Sequence, residues 1–214
     1  LRELSSTSEK TFGLLKQRCD EIAAAGVPNY FGGQRFGRDR NNLLQAERMF
    51  AKPGRRQTKH KRSIYLSAAR SWLFNCILSE RVKSHCWNRR LPGDVFMLAC
   101  KSACFRDETD DDISNDLNTR LAQNEIHPTA VLWGEGDTMV TSKAAELESQ
   151  VISCYPLYRD GLVAARLQAQ RRACRVVPEH IECHRQGDDF VVSFTLPAGS
   201  YATMVLAEIF SELL

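Results

Sequence analysis

Apolar residues recur at the spacing of a helix face near the start of the chain. Phe12, Leu15, Cys19 and Ile22 share one such face, and Gly26 is the kind of residue at which a helix ends. The spacing predicts a first helix that stops just before this glycine.

A longer apolar stripe follows in the middle of the sequence. Leu66, Ala69, Leu73 and Ile77 share one face of a helix predicted to begin at Ser63. The stripe is wide, so most of this helix is expected to be core. Shorter helices are predicted at residues 42–50, 112–124, 142–154, 162–175 and 201–213.

Alternation with a period of two characterises the end of the chain. Phe190, Val192, Phe194 and Leu196 alternate with other residues and, together with residues 181–184, predict a β-hairpin. The other predicted strands are residues 95–100 and 129–133. Helices and strands occur in separate segments, so the predicted fold class is α+β.

Residues 29–37 read NYFGGQRFG and follow neither pattern. Three glycines and four aromatic or arginine side chains in this segment predict a tightly turned loop. The spacing is neither G-x-G-x-x-G nor a P-loop, so nucleotide binding is not predicted. Arginine, aromatic rings and a flexible backbone suit RNA, because they pair with phosphates and stack on bases. A structural turn with buried aromatic residues has the same composition.

Charge is separated along the chain. The 214 residues carry a net charge of +3, yet residues 52–62 hold six lysines and arginines and no acid. Four more arginines lie in residues 166–175, and acidic residues concentrate in residues 107–112. Separate patches of opposite sign are typical of a surface that binds a polyanion. A solvated loop is the alternative interpretation of the basic run.

The eight cysteines do not form a zinc or disulfide pattern. No C-x-x-C pair occurs among them, so we interpret them as reduced thiols of a cytoplasmic protein. No metal site is predicted. No apolar run is long enough to predict a membrane span.

Three motifs resemble one protein family. Residues 26–37, GVPNYFGGQRFG, are similar to the signature of the TruD family of pseudouridine synthases. Residues 67–70, SAAR, followed by Asn75, resemble the long-helix motif of that family, and residues 196–203, LPAGSYAT, resemble its C-terminal motif. The order and spacing agree over nearly the whole chain.

The resemblance implies an architecture and a reaction. A catalytic domain built on a mixed sheet would comprise residues 1–25 and 177–214, and a mainly helical α/β insertion domain would comprise residues 26–176. The reaction implied is isomerisation of a uridine in tRNA, typically uridine 13, to pseudouridine. The partner is then tRNA, with no membrane and no metal, organic or other small-molecule cofactor, and the full-length enzyme is expected to be a cytoplasmic monomer.

The resemblance also implies roles for single residues. The ring of Tyr201 would pack on the target uracil, with core packing beside the hairpin as the alternative. Phe31 would line the cleft or hold the turn, Phe36 is expected to pack, and Arg35 would contact a phosphate or a buried acid. The residues expected to hold the RNA backbone are Arg55, Arg56, Lys59, Lys61, Arg62 and Arg70.

One part of the family pattern is missing. The family nucleophile is an aspartate in a Gly-x-Lys-Asp motif, and no Lys-Asp dipeptide occurs in the 214 residues. We therefore assign no catalytic residue and expect a C-terminal portion of the enzyme that is inactive by itself. The alternatives are an RNA-binding remnant without catalytic function and a helical adaptor protein.

Overall fold

The computed structural model describes residues 8–52, 57–99, 101–107, 111–187 and 189–210. The helices are α1 (Ser8–Ala25), α2 (Asn41–Ala51), α3 (Lys59–Lys83), α4 (Asp111–Ala122), α5 (Ser142–Ser153), α6 (Pro156–Ala164) and α7 (Ala202–Phe210). The strands are β1 (Val27–Pro28), β2 (Val95–Leu98), β3 (Cys104–Arg106), β4 (Ile126–Leu132), β5 (Gln170–Ala173), β6 (Arg175–Val176), β7 (Glu179–Gln186) and β8 (Asp189–Thr195). Helices and antiparallel sheets together confirm the predicted α+β class.

The largest sheet has the strand order β3-β2-β4-β5, and its neighbours pair antiparallel. Two buried ion pairs fix it to the surrounding elements. Arg81 of α3 donates from Nη1 and Nη2 to the two carboxylate oxygens of Asp94, at 2.8 and 2.6 Å. Arg171 of β5 binds Glu148 of α5 at 2.8 and 3.0 Å. Since each buried cation faces an anion, removal of either partner would leave an uncompensated charge in the core.

Helix α3 lies in the main hydrophobic core. Leu66, Leu73, Phe74 and Ile77 are among its buried residues, which confirms the predicted long core helix. The helix begins one turn earlier than predicted, because the Thr58 side chain accepts a hydrogen bond from the third residue of the helix at 3.4 Å. Neither α3 nor any other helix in the described ranges has the length and apolar character needed to cross a membrane.

A second core forms where the two ends of the described chain meet. Leu15 and Ile22 of α1 pack with Val205 and Ile209 of α7, and the β7–β8 hairpin covers them. This arrangement confirms the predicted first helix, the hairpin and the last helix as far as residue 210; the predicted helical residues 211–213 lie outside the described residues. The short β1–β6 pair connects this core to the rest of the fold. The predicted domain boundaries, residues 1–25 and 177–214 around 26–176, stay a prediction.

The helix predicted at residues 162–175 is wrong. Helix α6 ends at Ala164, and residues 170–173 pair with β4 as strand β5. Alanine, leucine, glutamine and arginine favour helices, so the local composition predicts a helix where the structure has a strand. Pairing with the buried strand β4 and burial of Arg171 against Glu148 outweigh that preference.

Candidate nucleic-acid interface

The loop of residues 29–37 is held in shape by α3. The main-chain N–H of Phe31 donates to Asn75 Oδ1 at 2.9 Å, and Asn75 Nδ2 donates back to the Phe31 carbonyl at 3.0 Å. Gly32 follows, and a Cβ at this position would lie 2.9 Å from Cδ1 of Tyr201. Only glycine therefore allows the Tyr201 ring to lie against the loop. The predicted tight turn is confirmed, with 3₁₀ turns in place of a regular helix.

Tyr201, Phe31 and Arg35 meet in this place. The Tyr201 and Phe31 rings pack edge to face with centroids 5.8 Å apart. Arg35 Nε donates to Tyr201 Oη at 2.8 Å, and Arg35 Nη1 donates to Ser67 Oγ at 3.0 Å. The Arg35 guanidinium also lies 5.4 Å from the centroid of the Phe31 ring. The structure thus brings together the residues predicted to bind substrate, and the role itself stays a prediction.

Arg172 completes this group, which we call the aromatic–arginine cluster (Phe31, Arg35, Arg172 and Tyr201). Its guanidinium carbon lies 4.1 Å from the Phe31 ring centroid. Its Nη2 donates to Asn29 Oδ1 at 2.7 Å and to the Gly199 carbonyl at 3.1 Å, whereas its Nε is buried without a partner. Burial lowers the pKa of Arg172 to about 10. Sequence patterns place Arg172 in a basic stretch but give it no role in the cluster, because its contact with Asn29 joins residues 143 positions apart.

Within the described residues, no acid compensates the positive charge in and beside the cluster. Among the described residues, no Asp or Glu forms an ion pair with Arg35, Arg70 or Arg172. A buried acid as the partner of Arg35 is therefore not found in the described part of the chain. Within the same ranges, no group of three or more His, Cys, Asp or Glu is placed to hold a metal ion. The local charge favours an anion.

A basic groove adjoins the cluster at the start of α3. It has a volume of about 360 Å³, and Lys59, Arg62, Ser67 and Arg70 are among the residues that line it. Ser67 Oγ also receives the hydrogen bond from Arg35, so the groove and the cluster are continuous. The structure thus places Lys59 and Arg62 of the basic run beside the loop of residues 29–37.

The cations at the start of α3 do not stabilise the helix. Lys59, Lys61 and Arg62 are exposed, and the first turn contains no acid. The N-terminus of a helix carries partial positive charge, so cations are unfavourable there and anions are favourable. Arg55 and Arg56, predicted to act with them, lie outside the described residues.

Arg70 makes different contacts from the other basic residues of the groove. Its Nη2 donates to the carbonyl of Leu132 at 2.9 Å and to the carbonyl of Gln168, and its Nη1 donates to Gln170 Oε1 at 3.3 Å. Burial lowers the pKa of Arg70. Its guanidinium therefore connects α3 to the end of β4 and the start of β5, and its predicted RNA contact stays a prediction.

Phe36 packs in the core of the loop. Its buried ring meets Trp72 edge to face, with centroids 5.9 Å apart. This contact confirms the packing role expected for Phe36.

The arginines of residues 166–175 do not form one basic face. Arg171 is paired with Glu148 in the core, and Arg172 belongs to the cluster. Arg175 is buried and donates from Nε to His127 Nδ1 at 3.0 Å. The candidate interface therefore consists of the cluster and the groove, and only one arginine of this stretch contributes to it.

Comparison with known proteins identifies the family. The family model for tRNA pseudouridine synthase D (TruD) matches residues 41–209. The tRNA pseudouridine synthase D of Hydrogenovibrio crunogenus is 41% identical over 213 residues, covering 98% of this chain and 59% of the relative. That of Methylococcus capsulatus is 43% identical over 196 residues, covering 91% of this chain and 54% of the relative.

The fold also has a counterpart among solved structures. The crystal structure of TruD from Methanosarcina mazei matches with a TM-score of 0.68 at 21% identity, covering 95% of this chain and 65% of that one. This likeness concerns the fold alone. The chain spans between 54% and 59% of the length of the two relatives described above. From the family match and these identities, the chain belongs to the tRNA pseudouridine synthase D (TruD) family.

Proposed function

We propose that this chain holds and recognises RNA within a tRNA pseudouridine synthase that converts a uridine of tRNA, at position 13, to pseudouridine. The observation that carries the proposal is the aromatic–arginine cluster. Two aromatic rings come together with two arginines that pair with no Asp or Glu of the described residues. Gly32 leaves room for the Tyr201 ring in this cluster, since a Cβ there would lie 2.9 Å from the ring. Rings and uncompensated cations suit a nucleotide, which offers a flat base and a phosphate.

The Tyr201 ring is proposed to pack on the target uracil. A base must leave its stack before an enzyme can act on it, and a stacking ring contributes about 1–3 kcal/mol per base. The hydrogen bond from Arg35 Nε fixes the hydroxyl of Tyr201, and Gly32 and Phe31 pack against the ring. The ring orientation is thus set before substrate binds, which reduces the entropy lost on binding.

The basic groove is proposed to hold the RNA backbone. Lys59, Lys61 and Arg62 are exposed at the start of α3, with Arg55 and Arg56 preceding them in sequence. Lysines and arginines of this kind contact phosphates without reading sequence, and they displace counterions. Binding to tRNA should therefore weaken steeply as salt is raised.

The site is proposed to lie at a domain junction. Phe31 belongs to the proposed insertion domain, residues 26–176, and Tyr201 belongs to the proposed catalytic segment, residues 177–214. The separate core around α1, α7 and the hairpin supports this division. Ligand sites often occur at such junctions.

The nucleophilic aspartate is proposed to be supplied by sequence that this chain does not include. The 214 residues contain no Lys-Asp dipeptide, which the family motif requires. The cluster therefore supplies recognition and positioning, and the bond-breaking step needs a carboxylate from elsewhere in the enzyme.

Unmodified tRNA tests the proposal in two steps. Binding is measured against salt for this chain, and pseudouridine is then mapped with carbodiimide for the chain alone and after addition of a family segment that carries Gly-x-Lys-Asp. Salt-sensitive binding, with product only after complementation, is expected. Product from the chain alone would place the nucleophile among its own acids, and binding without product in both samples would favour an RNA-binding remnant. Absence of salt-sensitive binding would overturn the proposal.

A further inference from the structure

A second groove lies between α1, α4 and residues 88–90, and it shares no lining residue with the basic groove. Its volume is about 530 Å³, and its polar lining includes Asn88, Arg89, Asn118 and Arg175. The TruD motifs did not include these residues. The groove therefore needs an explanation apart from the aromatic–arginine cluster.

Arg175 is the buried cation of this groove, with an exposure of 4%. Its Nε donates to His127 Nδ1, and its Nη2 donates to the carbonyls of Leu121 and Ile126 at 3.0 and 2.9 Å. Its Nη1 has no hydrogen-bond partner among the described residues, and no described acid pairs with it. The hydrogen bonds of this buried guanidinium therefore go to neutral acceptors, and no acid of the described residues neutralises its charge.

The rest of the lining adds positive charge and amide groups. Arg89 is exposed, without a hydrogen bond or ion pair to the described residues. Arg90 is neutralised by Asp107, which accepts from its Nε at 2.9 Å. Asn88 and Asn118 contribute amides, and none of the described residues that line the groove carries a carboxylate. The groove thus has two uncompensated cations with neutral hydrogen-bonding groups between them.

We propose that this groove binds a phosphate group, held by Arg175 and Arg89 and oriented by the amides of Asn88 and Asn118. Guanidinium groups match the geometry and charge of phosphate oxygens. The phosphate comes either from an RNA backbone or from a free phosphate ion. For the RNA source the inference rests on the proposed function, because the same tRNA then contacts both grooves.

Two variants change the groove with little effect on the fold. Asn118→Asp places a carboxylate in the groove at nearly constant size, and Arg89→Glu reverses an exposed charge. Lys143→Glu, an exposed lysine at the start of α5, is the matched control because it changes charge as Arg89→Glu does. Melting temperature is measured with inorganic phosphate and with chloride at equal ionic strength, and tRNA affinity is measured over a range of salt concentrations.

The expected result is that phosphate raises the melting temperature of the wild type and of Lys143→Glu, and not that of the two groove variants. If the source is RNA, the groove variants also bind tRNA about tenfold more weakly, and the slope of log affinity against log salt falls by about one. Phosphate protection with unchanged tRNA affinity supports the site with free phosphate as its source. If the wild type does not bind tRNA, the proposed function is contradicted, and the phosphate measurement alone then tests this inference. No phosphate protection and no selective tRNA effect, or equal effects in Lys143→Glu, would overturn it.

Discussion

Replacing Arg172 by methionine should separate RNA binding from stability. The lowered pKa of Arg172, about 10 against 12.5, means that burial outweighs the favourable contacts of the charged form by roughly 3 kcal/mol. Methionine removes this unfavourable charge and fills similar apolar space. It also leaves the buried Asn29 Oδ1 without its 2.7 Å hydrogen bond, at a cost of about 1–3 kcal/mol. The two effects oppose each other, so the free energy of unfolding should change by less than about 2 kcal/mol.

RNA affinity should respond differently. If Arg172 offers its charge to a phosphate, its removal costs one charge-assisted contact, worth about 1.5–3 kcal/mol, and tRNA affinity falls about tenfold or more. Arg171→Met is the matched control, since it changes the neighbouring residue in the same way. That variant leaves the buried Glu148 without its cation and should lower the free energy of unfolding by about 3–5 kcal/mol. Urea unfolding and tRNA binding by filter assay measure both quantities.

The reasoning fails for Arg172 if its replacement destabilises the protein as much as Arg171→Met does. It also fails if the folded Arg172→Met variant binds tRNA as tightly as the wild type. The first result would make Arg172 a structural clamp between Asn29 and Gly199, and the second would remove it from the RNA-binding surface.

Three further outcomes are expected. Tyr201→Phe removes only the hydrogen bond from Arg35 and should keep tRNA affinity within about threefold, whereas Tyr201→Ala should lose about tenfold or more; equal losses would exclude stacking. Arg62→Glu should weaken tRNA binding and reduce the slope of log affinity against log salt by about one to two, and Lys143→Glu should leave both unchanged. Identical slopes in the two variants would remove Arg62 from the interface. Burial, with a smaller effect of the neighbouring Arg175, lowers the pKa of His127 to about 4. The unfolded chain therefore binds a proton at this histidine more readily than the folded chain does. The free energy of unfolding should be at its full value above about pH 6.5 and should fall by roughly 3 kcal/mol towards pH 4. Urea unfolding at several pH values tests this, and a His127→Asn variant with the same pH dependence would contradict it.

Periodicity predicted the elements whose burial follows local sequence. The apolar face of α1, the stripe of α3 and the alternation of the hairpin all persist in the structure. It failed at residues 170–173, where a helix-favouring composition forms a strand. That strand exists because β4 offers it a partner and Glu148 offers Arg171 a charge, and both partners are distant in sequence. Local propensity therefore cannot predict either contact.

The candidate site could be predicted only in part, for the same reason. The loop glycines and aromatic residues pointed to Phe31 and Arg35, and the resemblance added Tyr201. Arg172 was missed because its contacts to Asn29 and Phe31 bridge more than a hundred residues of chain. The sequence shows that residue 172 is an arginine, but only the fold shows that it pairs with no acid of the described residues.

Whether a buried arginine faces a carboxylate, more than its position in a basic stretch, distinguishes the structural arginines of this chain from those that we propose to bind an anion. Arg81 and Arg171 each face a carboxylate of their own, and both ion pairs lie in the core of the sheet. Arg172 and Arg175 are largely buried and face no carboxylate of the described residues, and burial lowers the pKa of both to about 10. A protein gains nothing in stability from burying a cation in this way, because the charge loses its hydration and receives only neutral acceptors in return. We therefore propose that each marks a place where an anion from outside the chain would neutralise the charge, one at the aromatic–arginine cluster and one at the second groove.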